Sequence, residues 1–178
     1  MTMNEHIEDI RLSFMLFEFS IRTMCYAELE KFDVELFGQD LQINLAKENV
    51  SYRSGKFNDQ QNIIRSSQMA VGAAFGCTAI CLDCALEKQK NSSHQIQTLK
   101  ALVSAVRNAF SHGIAAPSWY VKEHKQERLN LDFIQGPIVD LGILNGQPFD
   151  YEQIGGLATW YRINDYVIKS MSSAHNKS

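Results

Sequence analysis

Ser93-His-Gln-Ile-Gln-Thr-Leu-Lys-Ala-Leu-Val-Ser-Ala-Val-Arg-Asn-Ala-Phe-Ser-His-Gly113 reads as one helix with both ends marked. Leu99, Leu102, Val103, Val106, Ala109 and Phe110 recur at three- and four-residue steps, the spacing that lines one face of a helix. Asn91-Ser92-Ser93 supplies hydroxyl and amide groups for the unpaired N–H groups of the first turn. Gly113 stands where a helix is expected to close. At about 100° per residue, Arg107, Ser111, Asn108 and His112 fall within an arc of about 140° opposite the apolar stripe. The segment therefore predicts a core helix that carries a polar patch at its carbonyl end.

Working outward, the same periodicity predicts further helices. From about Asn4 to Phe37, Ile7, Ile10, Phe14, Phe17, Ile21 and Met24 recur at helical steps, in one helix or two in series, with Gly38 as the stop. Gln39 to Phe57 is polar and weakly periodic, and reads as a loop with a short helical turn. Asn58 or Asp59 caps a second long helix reaching about Lys90. Its centre, Met69-Ala-Val-Gly-Ala-Ala-Phe-Gly-Cys-Thr-Ala-Ile-Cys-Leu82, is built of small and apolar side chains. Gly72 and Gly76, four apart, let a neighbouring helix come close, in a crowded core or a dimer seam. After Ala115-Ala-Pro-Ser-Trp-Tyr120 breaks the pattern, Leu129, Leu131 and Phe133 alternate with polar residues, Gln135-Gly-Pro137 turns the chain, and Ile138 to Leu144 returns. That is a β-hairpin over about 128–144. A last helix spans about Tyr151 to Met171, followed by a frayed tail at 172–178. The expected fold is mostly α, with the hairpin inserted before the final helix, in a single domain over 1–178.

Composition narrows the function classes. With 45% hydrophobic and 21% charged residues in 178, the chain is an ordinary globular one. Its net charge of -3 argues against packaging or coating nucleic acid and leaves open an enzyme with a local basic patch. Met1-Thr-Met-Asn-Glu-His-Ile-Glu-Asp9 lacks the basic-then-apolar pattern of a secretion signal. No uninterrupted apolar run approaches the roughly 18 residues of a membrane span. Cys25, Cys77, Cys81 and Cys84 read as free thiols in a reducing compartment. These features predict a cytoplasmic protein with no membrane contact.

The patch from Arg107 to His112 carries the chemistry. A guanidinium offers a fixed fork of donors for phosphate oxygens and stays charged at any working pH. An imidazole takes or gives a proton near neutrality. Together they provide the minimum for cutting RNA without a metal: proton transfer at the 2′-hydroxyl and the leaving oxygen, and a cation on the crowded phosphate. The bland reading is that Arg, Asn, Ser and His simply solvate a helix face.

Arg107-Asn-Ala-Phe-Ser-His112, with Gly113 after it, resembles the Arg-x4-6-His signature of the HEPN superfamily. Leu144-Asn-Gly-Gln-Pro-Phe-Asp150 and Ile154-Gly-Gly156 are similar to segments that follow the motif in other members. The resemblance is sharp over 105–113 and loose elsewhere. It implies a bundle of four or five helices that dimerises so that two motifs face one cleft. Arg107 would then bind phosphate and His112 act as acid or base, with Asn108 orienting His112 or meeting a ribose oxygen and Ser111 beside them. It implies an endoribonuclease that needs no metal or cofactor, a toxin or defence effector, RNA as substrate and an antitoxin as partner. Some toxins of the family carry a modifiable Tyr two residues past the His; here that position is Ile114. Other members cut nothing and serve as nucleotide-binding or protein-interaction modules, which is the alternative.

The remaining signals are weaker. Cys77-x3-Cys81-x2-Cys84 has the spacing of a radical-SAM cluster loop, but it lies in an apolar helical run where thiols pack as small hydrophobes. Zinc lacks a second ligand pair. Asp83, in the same run, either faces solvent or supports Arg107 or His112. His6, His94, His124 and His175 read as solvated. Trp119 and Trp160 read as core or interface. Lys122 to Arg128 is basic but includes Glu123 and Glu127, a solvated face that could still border an RNA path.

Overall fold

The computed structural model describes residues 2–53, 55–89 and 93–175. Asn91 and Ser92, offered above as caps, and 176–178 of the expected frayed tail lie outside the described residues, as does the side chain of His175. The chain is mostly helical, with two small antiparallel hairpins. It divides into two compact units: Met1–Leu16 with Gly72–Ser178, and Phe17–Val71.

The larger unit takes its core from α1 (Met3–Glu28) up to Leu16, α3 (Gln60–Lys88) from Gly72 onward, α4 (His94–Ser111) and α6 (Gly156–His175). α4 forms as the periodicity predicts, with the Ser93 hydroxyl accepting from Ile96 N–H and the apolar stripe buried. Its end differs from expectation. His112 takes the C-cap position in right-handed geometry, and Gly113 is not left-handed. Phe75 of α3 is the hub of this core. Its ring lies 5.1 Å from Phe110, 5.0 Å from Trp160 and 4.8 Å from Tyr151, centroid to centroid. Both tryptophans are buried with their N–H groups paired: Trp160 Nε1 donates to Thr78 Oγ1 at 2.8 Å, and Trp119 Nε1 to Gln153 Oε1 at 2.7 Å. Gly76 is where α3 and α4 touch, because a Cβ there would sit 3.2 Å from that of Phe110. The seam is therefore within the chain.

The inserted hairpin is present but shorter than expected. β3 (Arg128–Asn130) pairs with β4 (Ile138–Asp140), Leu129 opposite Val139. Side chains end both strands early. Asn130 Oδ1 accepts from Asp132 N–H and turns the chain into a 3-10 segment, Asp132–Ile134. Asp140 Oδ1 accepts from Gly142 and Ile143 N–H and starts α5 (Leu141–Leu144) where a continuing strand was expected. Such local bonds compete with a sheet ladder. The final helix begins with a 3-10 turn, Tyr151–Ile154, closed by Gly155 at φ +85°, and α6 then runs past Met171 to His175. Residues 172–175, expected to fray, are thus helical.

In the smaller unit, α1 stops at Glu28 and, after Glu30 at φ +53°, Asp33 caps α2 (Val34–Phe37), so two helices stand in series. The stretch read as a loop contains a hairpin, β1 (Leu41–Asn44) against β2 (Asn49–Tyr52), with Ile43 opposite Val50. Almost every residue of it is exposed, so no buried face imposed the alternation that marks a strand. Gln60 Nε2 donates to the Ala27 carbonyl, tying α3 to α1.

α3 is long and apolar enough on average to cross a bilayer, although polar residues interrupt it, and half of its most apolar window is buried. It serves as a core helix here.

Candidate functional site

Position along α4 sets the polar patch on its last turn, and the neighbouring elements decide what each group meets. Arg107 Nη1 lies 3.0 Å from Asp83 Oδ2, and Arg107 Nη2 donates to Asn108 Oδ1 at 3.0 Å. Asp83 is buried, with its side chain 6% exposed, whereas that of Arg107 is 39% exposed. Of the two readings of Asp83, the partner of Arg107 is therefore the one observed. The pair leaves part of the guanidinium open, since five N–H groups are available and two are engaged. Ser111 Oγ donates to the Asn108 carbonyl at 2.9 Å. His112 is exposed, its ring 5.1 Å from that of Tyr120 in an edge-on contact.

Arg107, Asn108 and His112 line one cavity of about 250 Å³ together with Ser104, Tyr120, Lys122 and Lys125. Among the described residues, no carboxylate borders it. Ser111 falls on the other side. With Arg107, His112, Cys77, Ile80 and Ile114 it lines a second, more apolar groove of about 430 Å³. The structure thus brings four of the five expected site residues to the two sides of one helix end, and places Asp83 behind Arg107.

Tyr120 is not singled out from sequence, and Lys122 and Lys125 enter there only as part of the mixed-charge stretch 122–128 that could border an RNA path. The segment carrying them is firmly anchored: Trp119 N–H donates to the Gln147 carbonyl, Gly146 N–H to the Trp119 carbonyl, and Val121 N–H to Asn145 Oδ1 at 2.8 Å. Lys122 precedes and Lys125 ends one 3-10 turn, Glu123–Lys125. Residues three apart align in such a turn, so the two lysines reach the cavity and Glu123 does not. Averaging charge over 122–128 hides this.

Burial pushes the Asp83 carboxyl above its ordinary range; Arg107 and Lys125 draw it back, and Glu87 adds to the rise. A raised folded value means that protonation favours the folded state. That contribution is complete below the ordinary aspartate range and fades as pH rises through the raised value. Asp83→Asn removes this dependence while keeping one oxygen for Arg107. At pH 7 the variant is expected to unfold within about 1 kcal/mol of wild type, because the amide keeps a hydrogen bond to Arg107 and sheds the desolvation cost of a buried charge. Wild type should lose ground to it as pH is raised from 4, in urea midpoints. Parallel pH profiles for the two proteins would refute this account of Asp83.

The cysteine face divides. Cys77 and Cys81 are half-buried, whereas Cys84 and Cys25 are exposed, so core packing holds for only part of the stretch. Burial pushes the Cys81 thiol up to about 11, with Cys77 adding to the rise and Ser13 opposing it. Only a thiolate is a good nucleophile. Iodoacetamide at pH 8 is therefore expected to label Cys25 and Cys84 and spare Cys81 until the protein is denatured. Mass spectrometry showing Cys81 labelled as fast as Cys84 would disprove it. Among the described residues, no cluster of His, Cys, Asp or Glu is placed to hold a metal ion.

His6, expected in solvent, is 5% exposed; it lines a hollow of about 110 Å³ with Ala85, Gln89 and Met171. His94 and His124 are exposed, as expected. Within Phe17–Val71, Phe37, Leu41, Tyr52 and Phe57 line a wide, largely apolar hollow of about 980 Å³, which sequence reasoning did not foresee. No family model matches the chain, nor does any curated protein or solved structure match it.

Proposed function

We propose that the protein is a metal-independent endoribonuclease of HEPN type, with Arg107 and His112 as its working pair. The observation that carries this reading is that both side chains border one cavity with Lys122 and Lys125 and, among the described residues, with no carboxylate. In the proposed reaction the 2′-oxygen forms a bond to the adjacent phosphorus as the bond to the 5′-oxygen breaks. One imidazole takes the 2′-proton and another donates a proton to the leaving 5′-oxygen, which yields a cyclic phosphate end and a 5′-hydroxyl. Arg107 binds the phosphate oxygens, where charge builds. Asn108, bonded to Arg107, helps to orient it.

Each chain brings one imidazole to this cavity, so acid and base together call for a second copy. Ile80 and Ile114, 51% and 44% exposed on the apolar groove that also includes Arg107 and His112, offer such a contact. A homodimer with two facing helix ends is part of the proposal. In a cell, RNA cleavage of this kind suits a toxin or defence effector held in check by an antitoxin partner.

The test is direct. Purified protein in EDTA should cut structured RNA and leave cyclic phosphate ends. If a broad panel of RNAs is spared by folded, dimeric protein, the nuclease reading falls. The cationic lining of the cavity also fits a second reading, a nucleotide-binding module, which a rise in melting temperature with a nucleotide would support.

A further inference from the structure

We propose that the cavity beside Arg107 takes two phosphoryl groups at once, one on Arg107 and the second on Lys122 and Lys125. The proposal rests on the reading of this cavity as a phosphodiester site and names what else it holds there.

Three fixed positive charges, Arg107, Lys122 and Lys125, line the cavity, and among the described residues no carboxylate does. Counting Asp83 against Arg107 still leaves the two lysines unbalanced at the cavity. Lys125 lines the same cavity as Arg107, whose guanidinium is paired with Asp83. The two lysines stand on a turn whose backbone is closed by Lys125 N–H to the Lys122 carbonyl at 2.8 Å, and Val121 ahead of it is bonded to Asn145. They therefore approach from a different element than α4.

The two kinds of cation suit different tasks. A guanidinium grips one phosphate through paired N–H donors, whereas ammonium groups act as point charges that tolerate a less defined oxygen position. One phosphate on Arg107 would leave the two ammonium groups at the same cavity free to meet another anion. A second phosphoryl group supplies it. The ligand class is thus a molecule with neighbouring phosphoryl groups: an RNA strand whose next phosphate is intact, or a nucleoside diphosphate.

Binding to the full-length protein separates these ideas. Inorganic pyrophosphate is expected to bind at least about tenfold more tightly than inorganic phosphate, by calorimetry at low salt. Lys122→Gln with Lys125→Gln should erase that preference and leave phosphate binding intact. Both lysines are exposed, so the double variant should fold, which its unfolding midpoint checks. For a 5′-phosphorylated dinucleotide, the slope of log affinity against log salt should fall by about 1 for each lost phosphate contact. Comparing that dinucleotide with a nucleoside diphosphate tells strand from free nucleotide. Equal affinity for phosphate and pyrophosphate, or an unchanged preference in the double variant, overturns the proposal. A pyrophosphate preference without RNA cleavage sinks the nuclease reading alone. Cleavage that ignores the lysines sinks only the two-phosphate site.

Discussion

Replacing His112 by alanine is expected to slow RNA cleavage by about 10²- to 10⁴-fold, the usual contribution of a positioned acid or base. Stability should barely change, because His112 is exposed and its ring meets that of Tyr120 edge-on. Arg107 needs a gentler probe. Removing its guanidinium strands the buried Asp83 carboxylate, and an uncompensated buried charge costs several kcal/mol. Arg107→Lys keeps a cation on Asp83 but loses the fork that matches phosphate. Cleavage is expected to fall by about 10²-fold, with unfolding within about 1 kcal/mol of wild type. Rates are to be read on one structured RNA in EDTA. His112→Ala cutting at the wild-type rate would end the case for an imidazole in the reaction.

The second large effect concerns Phe75. Its side chain is fully buried and touches aromatic rings from α4, α6 and the segment before α6. Phe75→Ala should cost about 3–5 kcal/mol in urea unfolding, the transfer energy of the ring plus the void it leaves. Phe75→Leu keeps most of the volume and should cost markedly less. A loss below about 1 kcal/mol for the alanine variant would show that the rings close up around the gap and that Phe75 is no hub.

What could be read from sequence follows the range of the forces involved. α4 was legible because its apolar spacing, its Ser93 cap and its polar last turn all lie within twenty residues. The same holds for Trp160 and for the glycines of α3, whose small size announces close approach. Asp83 was ambiguous because a carboxylate in an apolar run means opposite things with and without a cation across the interface, and Arg107 lies 24 positions away. His6 was misread because a polar setting near a chain end says little about which face of a helix is covered. The lysines at 122 and 125 were averaged away against their acidic neighbours, since a 3-10 turn sorts charges that composition cannot. Both divisions between the compact units fall inside helices, at Leu16 and Val71, where no break in sequence pattern marks them.

Gly76 sets how closely α3 and α4 approach. With no side chain there, the helix bearing the guanidinium settles against α3 at a distance that a single methyl group would contest. The groove that Gly76 lines with Ile80, Arg107 and His112 is thereby floored by one hydrogen atom. Any descendant of this chain that enlarges residue 76 must find new packing for Phe110.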